Sequence, residues 1–369
     1  MSDLHLSYQR TDRLQALLDH WDERVAGEPP VALHRWANLA VWPAARSATV
    51  AASTGIEGNR LSVDEVDEVL AGGSVSGRTA DIRDVRNYNR ALDIANRAAL
   101  RPDFEWTQEL LRRLNATILD GLEDDERGEY RRGPVVVGGM YEPADHRVVP
   151  GLMAQLVDWL RAEQNDHTLI RAGLAHLNLV SIHPWLNGNG RTARVVGSLA
   201  LMRRGIAAPE LVNIEAVIRD QPDAYVAALQ EAQGPTYQPD RHAATAWLAY
   251  FAALAVDRLD LRTRLDAAIQ SDFGLLAMEL DAARVSLDWA PFLLAARVAP
   301  LRTALVSDHL GLSASRARAM LAEAVAAGWL TPVGERRGRR YHAADRLAAL
   351  PMRTPDVVER LRRGRPIEG

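Results

Sequence analysis

Apolar residues recur along most of the chain at the three-and-four spacing of a helix. The segments "LQALLDHWDERV" (14–25) and "MAQLVDWLRAE" (153–163) place theirs at i, i+3, i+4 and i+7. Strand-like alternation is scarce. The clearest case is "VVVGGMYEPADHRVV" (135–149), where two β-rich runs flank Gly, Pro and Asp, which predicts a hairpin. There is no internal repeat and no low-complexity tract. "PTYQPDRH" (235–242) reads as a loop between helices, and the composition changes again near residues 290–291. The pattern predicts an all-α protein: a helical body to about residue 260, a linking helix, and a small C-terminal domain.

Composition sharpens this picture. At 369 residues the chain is long enough for two or three domains. Its longest apolar run, residues 246–256, is 11 residues, against roughly 20 for a membrane span. The stretch "MSDLHLSYQR" has no apolar core for a signal peptide, so the expectation is a cytoplasmic protein with no membrane partner. Cys is absent, which excludes disulfides, thiolate metal sites and thiol catalysis. Lys is absent too, so all 44 basic residues are Arg and any phosphate contact must come from Arg, His or backbone N–H. The net charge of −4 is uneven. Residues 297–368 carry 14 Arg against 7 acids, leaving −11 on the remainder. A basic end on an acidic body points to a polyanion-facing module.

The helical pattern breaks at "SIHPWLNGNGRTAR" (181–194). Asn-Gly pairs suit hairpin turns, but the flanks "AGLAHLNLVSI" and "RTARVVGSLALMRRG" are helical. Gly188-Asn189-Gly190-Arg191-Thr192-Ala193 also fits the dinucleotide pattern G-x-G-x-x-A, yet no strand precedes it and no βαβ unit surrounds it. The reading that fits both flanks is a helix–loop–helix anion site. Glycines let backbone N–H groups converge, the next helix adds its N-terminal charge, and Arg191 and Arg194 share one face of it. A P-loop is excluded because it requires Lys. His183, at the other lip, is placed to take a proton from an incoming hydroxyl.

These residues resemble the motif of the Fic (filamentation-induced-by-cAMP) family, H-P-F-x-(D/E)-G-N-G-R-x-x-R, as "HPWLNGNGRTAR" (183–194). Nine defined positions are filled, seven of them identically. Ser53-Thr54-Gly55-Ile56-Glu57-Gly58 is similar to the family's inhibitory motif, (S/T)-x-x-x-E-(G/N), and "YRRGPVVVGGMYEPADHRVVPGLMAQLVDWL" to its flap segment. The likeness covers roughly residues 35–260.

The resemblance implies a Fic helical core with a β-hairpin flap, and transfer of AMP from ATP to a hydroxyl side chain of a target protein. His183 would be the general base. Gly188, Asn189 and Gly190 would cradle phosphates, Arg191 the β-phosphate and Arg194 the γ-phosphate. Glu57, with Ser53, would be the brake, its carboxylate pairing with Arg194. Val136, Val137, Gly138 and Tyr141 would dock the target as an added strand. His176 reads as structural. Asn187 departs from the motif: the family has Asp or Glu there as ligand for Mg or Mn, and an amide lacks the charge. Trp185 replaces Phe as the aromatic anchor.

Beyond the Fic segment, "RTALVSDHLGLSASRARAMLAEAVAAGWLTPVGERRGRRYHAA" (302–344) reads as a winged helix-turn-helix. Arg316 and Arg318 lie early on the second helix, and Arg336, Arg337, Arg339 and Arg340 on the wing. Those positions suit the groove and phosphates of double-stranded DNA. The boundaries expected are 1–100 (N-terminal helical region), 101–260 (Fic core), 261–294 (linking helix), 295–350 (winged helix) and 351–369 (basic tail). A DNA-binding regulator whose core binds nucleotide with little transfer, or an enzyme moving a different group, are the competing functions. The target, self-modification and a homodimer stay open.

Overall fold

The structure is a computed structural model that describes residues 3–27, 37–73, 75–76, 78–122, 126–162, 166–204, 214–335 and 338–363. It is overwhelmingly helical, as the pattern predicts. α1 (Asp12–Gly27), α2 (Ala37–Ile56) and α3 (Val63–Leu70) are followed by α4 (Thr79–Ala99) and α5 (Gln108–Ile118). A loop then leads to α6 (Val149–Arg161), α7 (Thr168–Ile182) and α8 (Asn189–Arg203). α9 (Ile214–Asp220), α10 (Pro222–Gln233) and the long α11 (Thr245–Ala282) complete the body. Local chemistry sets several of these limits. Ser62 accepts from the Glu65 N–H and Glu65 reaches back to the Ser62 N–H, a capping box that starts α3. Thr107 caps α5 with its side chain alone, accepting from the Leu110 N–H.

Two apolar cores form. The first is laid around α7, whose residues from Leu169 to Ile182 are all buried, the polar Arg171, His176, Asn178 and Ser181 included. Trp21, Tyr88, Leu114, Leu156, Val196 and Phe251 pack into it from the surrounding helices. The second core belongs to the C-terminal end. There α12 (Ala290–Val298), α13 (Thr303–Leu310) and α14 (Ala314–Ala326) precede an antiparallel pair, β1 (Leu330–Val333) with β2 (Arg340–Ala343). The short α15 (Asp345–Ala348) and α16 (Thr354–Arg363) close the chain's described part. Gly311 takes a left-handed conformation (φ 65°) to end α13, and Ser313 caps α14 through the Arg316 N–H at 3.2 Å. Leu301 and Tyr341 exchange two backbone hydrogen bonds of 2.9 Å, adding a third short edge to the hairpin.

Both cores share two helices. α11 lies in the first core as far as Leu259 and in the second from Leu261. α2 does the reverse: Leu39, Val41, Ala44, Ala45 and Ala48 pack in the second core, Val50 and Ala51 in the first.

Three sequence expectations need correction. The boundary at 260/261 marks the change of core but falls inside the unbroken α11, so 261–294 is no separate linking helix; it is the second half of α11 with α12 and the turn between them. The segment 351–369 is not simply a basic tail. Val358 and Leu361 of α16 are buried, while residues 364–369 lie outside the described part. Over 135–149, the hairpin shrinks to a tight loop in which Val137 and Tyr141 exchange backbone hydrogen bonds of 2.8 and 3.1 Å across Gly138 and Gly139, both at positive φ. Pro143 has no N–H to extend the ladder, and Val149 already begins α6.

Candidate active site

α7 ends on His183. Its N–H completes the helix by donating to the Leu179 carbonyl at 3.0 Å, while its own backbone turns left-handed (φ 51°, ψ 60°). That twist throws the chain into the loop 184–188. Trp185 is fully buried beneath it, tilted against Tyr130 at 6.1 Å. Asn189 braces the loop from within: its side chain accepts from the Trp185 N–H at 3.1 Å and donates to the Trp185 carbonyl at 2.8 Å. Its amide therefore faces the loop, and only its backbone is oriented for a ligand.

Gly188 starts α8 at φ 77°, where a Cβ would fall 2.9 Å from Asn115 Nδ2. Asn115, on α5, donates to the Asn187 carbonyl at 3.0 Å and accepts from the Gly128 N–H at 2.9 Å. Arg131 pins the same loop from the other side. Its Nε donates to the His183 carbonyl at 2.7 Å and its Nη2 to the Ala144 carbonyl. Neither Asn115 nor Arg131 carries a sequence signal that singles it out.

The first turn of α8 exposes N–H groups that have no partner within the helix, an anion-binding geometry. A carboxylate sits there. A Cβ on Gly190 would lie 2.5 Å from Glu57 Oε1, so the carboxylate rests close over the start of the helix. Glu57 Oε1 also accepts from Arg194 Nη2 at 2.8 Å. Arg194 is buried and further held by Ser53, whose Oγ accepts from Nε at 2.6 Å and whose carbonyl accepts from Nη2 at 2.9 Å. Burial opposes the charged form of Glu57, but the Arg194 charge and hydrogen bond, with Arg191 and His183 beyond, hold its carboxyl below the usual range. Glu57 and Ser53 thus lie where the sequence expects them, against Arg194.

Arg191 does not. Its guanidinium turns to Asp84 on α4, with both side chains nearly covered (12% and 11% exposed). The other Asp84 oxygen accepts from Asn59 Nδ2 at 3.0 Å, and Asn59 follows the Glu57 turn. Arg191 Nε has no partner among the described residues. A buried arginine deprived of its carboxylate costs about 3 kcal/mol. Asp84→Asn is therefore expected to lower the thermal midpoint. Thermal melts in which the variant and the parent share one midpoint would show that the pair carries no weight.

His183, Glu57 and Gly190 line one cleft of about 670 Å³, with Val137, Tyr141, Tyr225 and Gln233 among its other walls. That volume suits a small-molecule ligand. Burial lowers the His183 pKa to about 4 against a weak opposing pull from the Val180 carbonyl, 3.4 Å from Nδ1. The imidazole is neutral at pH 7 and able to accept a proton. Tyr225, on α10, was not visible as a site residue in the sequence; its buried hydroxyl bonds Arg194. His176 is buried and stacked on Trp247 at 4.9 Å, which fits a structural part.

Two flap residues are exposed, Val136 and Gly138, and Val137 is half-buried. Tyr141 is instead buried, its hydroxyl donating to the Ser181 carbonyl at 2.9 Å. It anchors the flap and offers no free side chain for docking. Asn187 is exposed at the loop tip, and no cluster of three His, Asp or Glu able to hold a metal occurs among the described residues. On the C-terminal unit Arg316, Arg318 and Arg339 are exposed, whereas Arg340 donates to Glu68 at 3.2 Å. Arg336 and Arg337 lie outside the described residues.

The Fic/DOC family matches residues 105–201, the span that holds Asn115, Arg131 and the whole loop from His183 to Arg194. The chain carries a Fic domain. "Protein adenylyltransferase Fic" of Drosophila grimshawi is 35% identical over 161 residues, 42% of this chain and 32% of its own length. The protein of the same name from Culex quinquefasciatus is 35% identical over 162 residues, with 31% of its length covered. The chain thus spans about a third of the length of the curated relatives it matches. A Fic family protein from Desulfovibrio desulfuricans shares the fold over 92% of this chain and 98% of its own (TM-score 0.59, 23% identity). Fic-1 from C. elegans shares it over 68% of this chain and 71% of its own (TM-score 0.56, 24% identity). The Fic fold therefore accounts for the helical body. No described helix is long and apolar enough to cross a membrane.

Proposed function

We propose that the protein transfers AMP from ATP to a hydroxyl side chain of a target protein and rests in an inhibited state. One observation carries this reading: the neutral imidazole of His183 and the anion-binding start of α8 face one cleft, and the anion seat is filled by Glu57. His183 takes the proton of the target hydroxyl. The oxygen then attacks the α-phosphorus of ATP, and pyrophosphate leaves as the phosphorus–oxygen bond to the β-phosphate breaks. The N–H groups of Gly188, Asn189 and Gly190 and the guanidinium of Arg194 hold the phosphate chain, with charge-assisted bonds replacing those of Glu57. Arg191 contributes once its Nε meets a phosphate oxygen. The names of the adenylyltransferase relatives support AMP as the group moved.

The metal is a separate matter. Asn187 offers a neutral amide oxygen, so a Mg or Mn ion would be held chiefly by phosphate oxygens and water, with Asn187 supplying an uncharged contact. That ion would offset negative charge on the phosphates. Asn187→Asp is expected to lower the Mg²⁺ concentration for half-maximal transfer and to raise the rate about tenfold, equivalent to about 1.4 kcal/mol. An unchanged metal requirement would show that residue 187 does not face the ion.

Parallel incubations with ATP labelled at the α- or the γ-phosphate test the reaction itself. Label retained on protein from the α position alone supports AMP transfer. Retention from the γ position would replace it with phosphoryl transfer, and retention from neither, with nucleotide bound, would leave a nucleotide-sensing core.

A further inference from the structure

The brake is built on a helix that the Fic domain does not hold by itself. α2 begins in the second core and ends at Ile56, one residue before Glu57. The chain turns through Gly58 and Asn59 and returns as α3. Val66 and Val69 tie α3 to the first core, but its acidic side faces the C-terminal unit. There Arg302, just ahead of α13, donates to Glu68 at 2.9 Å and also to the Ala71 carbonyl. Arg340, at the start of β2, shares Glu68 at 3.2 Å. Arg362 of α16 reaches Asp64 at 2.7 Å and also Asp67. Three arginines from three separate elements thus grip one eight-residue helix, and the basic end of the sequence finds part of its countercharge within the chain.

The grip is ionic and sits at a rim. The arginine side chains are largely covered (14% to 21% exposed), but Glu68 and Asp64 remain open to solvent (39% and 89%). Pairs of this kind contribute little to folding one by one and can be broken without unfolding the protein. Their position matters more than their strength. α2, the Glu57 turn and α3 form a single bent element, with its bend on Arg194 and both arms held by the C-terminal unit.

We propose that the C-terminal unit is a latch on the brake: Arg302, Arg340 and Arg362 hold α3 in place, and loosening them withdraws Glu57 from Arg194. The latch rests on the reading of Glu57 as a brake. It makes the C-terminal unit a control element for the cleft, although none of its residues lines it.

Binding of a non-hydrolysable ATP analogue tests this in the full chain. Glu68→Arg sets three cations against one another and is expected to tighten analogue binding at least threefold, in the direction of Glu57→Gly. Adding Arg302→Glu and Arg340→Glu reverses the charges of all partners and is expected to return the affinity to the parental value. Parental affinity in Glu68→Arg beside tighter binding in Glu57→Gly overturns the latch and leaves the brake standing. Parental affinity in Glu57→Gly removes the brake, and the latch falls with it. Should Glu68→Arg fail to fold, Glu68→Gln removes the charge alone. A smaller tightening is expected there, and none overturns the proposal.

Discussion

Glu57→Gly binds ATP more tightly than the parent and modifies protein faster: this is the expected result if the carboxylate on α8 stands in for phosphate. The parent must break a charge-assisted hydrogen bond between Glu57 and Arg194, and give up the seat above Gly190, before the phosphates can settle. Hydrogen bonds to charged groups contribute about 1.5–3 kcal/mol, which corresponds to an affinity gain on the order of tenfold to a hundredfold. The same change should lower stability in the absence of nucleotide. Arg194 is buried and would lose its counter-charge, and an uncompensated buried charge costs a few kcal/mol, about 3 in comparable pairs. Calorimetry and thermal melts read both effects. A variant that melts lower yet binds ATP no better would make Glu57 a structural counter-ion and nothing more.

His183→Ala, placed in the Glu57→Gly background, should cut transfer by about 10²–10⁴, the range for losing a general base. Nucleotide binding should change less than about twofold, because the phosphate contacts come from α8 and its arginines. The pH profile offers a second check. Burial lowers the imidazole pKa to about 4. A base stays competent above its pKa and fails as pH drops through it, so kcat/KM should show no histidine limb near 6.5 and should fall only toward about 4. Intact-mass time courses across pH measure this. Transfer by His183→Ala near the rate of its background would assign the proton to another group.

Much of this site was legible because it is contiguous. The run from His183 to Arg194 spells its chemistry within two turns of helix and a loop, where glycines, a proline and paired arginines interrupt an otherwise apolar pattern. Glu57 is 126 residues away from His183 and emerged only through resemblance to a known motif. Asp84, Asn115 and Tyr225 stayed hidden for a physical reason. Each is a single polar or aromatic residue on an amphipathic helix, and spacing alone cannot separate an inward-facing functional group from an ordinary helix residue. The sharing of helices between the two cores was hidden for a similar reason. α2 is buried almost all round, so its periodicity does not report that its two halves enter different cores. Three arginines in the last turn of α16 mask Val358 and Leu361, whose spacing of three marks a packed face. Arg340 shows the limit of reading charge as destination: a cation expected on a nucleic-acid face is committed to Glu68.

The left-handed backbone of His183 sets activity against thermostability. Side chains other than Gly, and to a lesser degree Asn and Asp, pay about 1–2 kcal/mol for that conformation, and this chain accepts it at the residue proposed to take the proton. Alanine inherits the strain, whereas asparagine sheds part of it, so His183→Asn should melt above His183→Ala; equal melts would mean the twist is free. The more stable sequence is then an inactive one. A copy of this chain no longer selected for the reaction would drift at this position toward Asn or Gly, gaining robustness as it lost its chemistry.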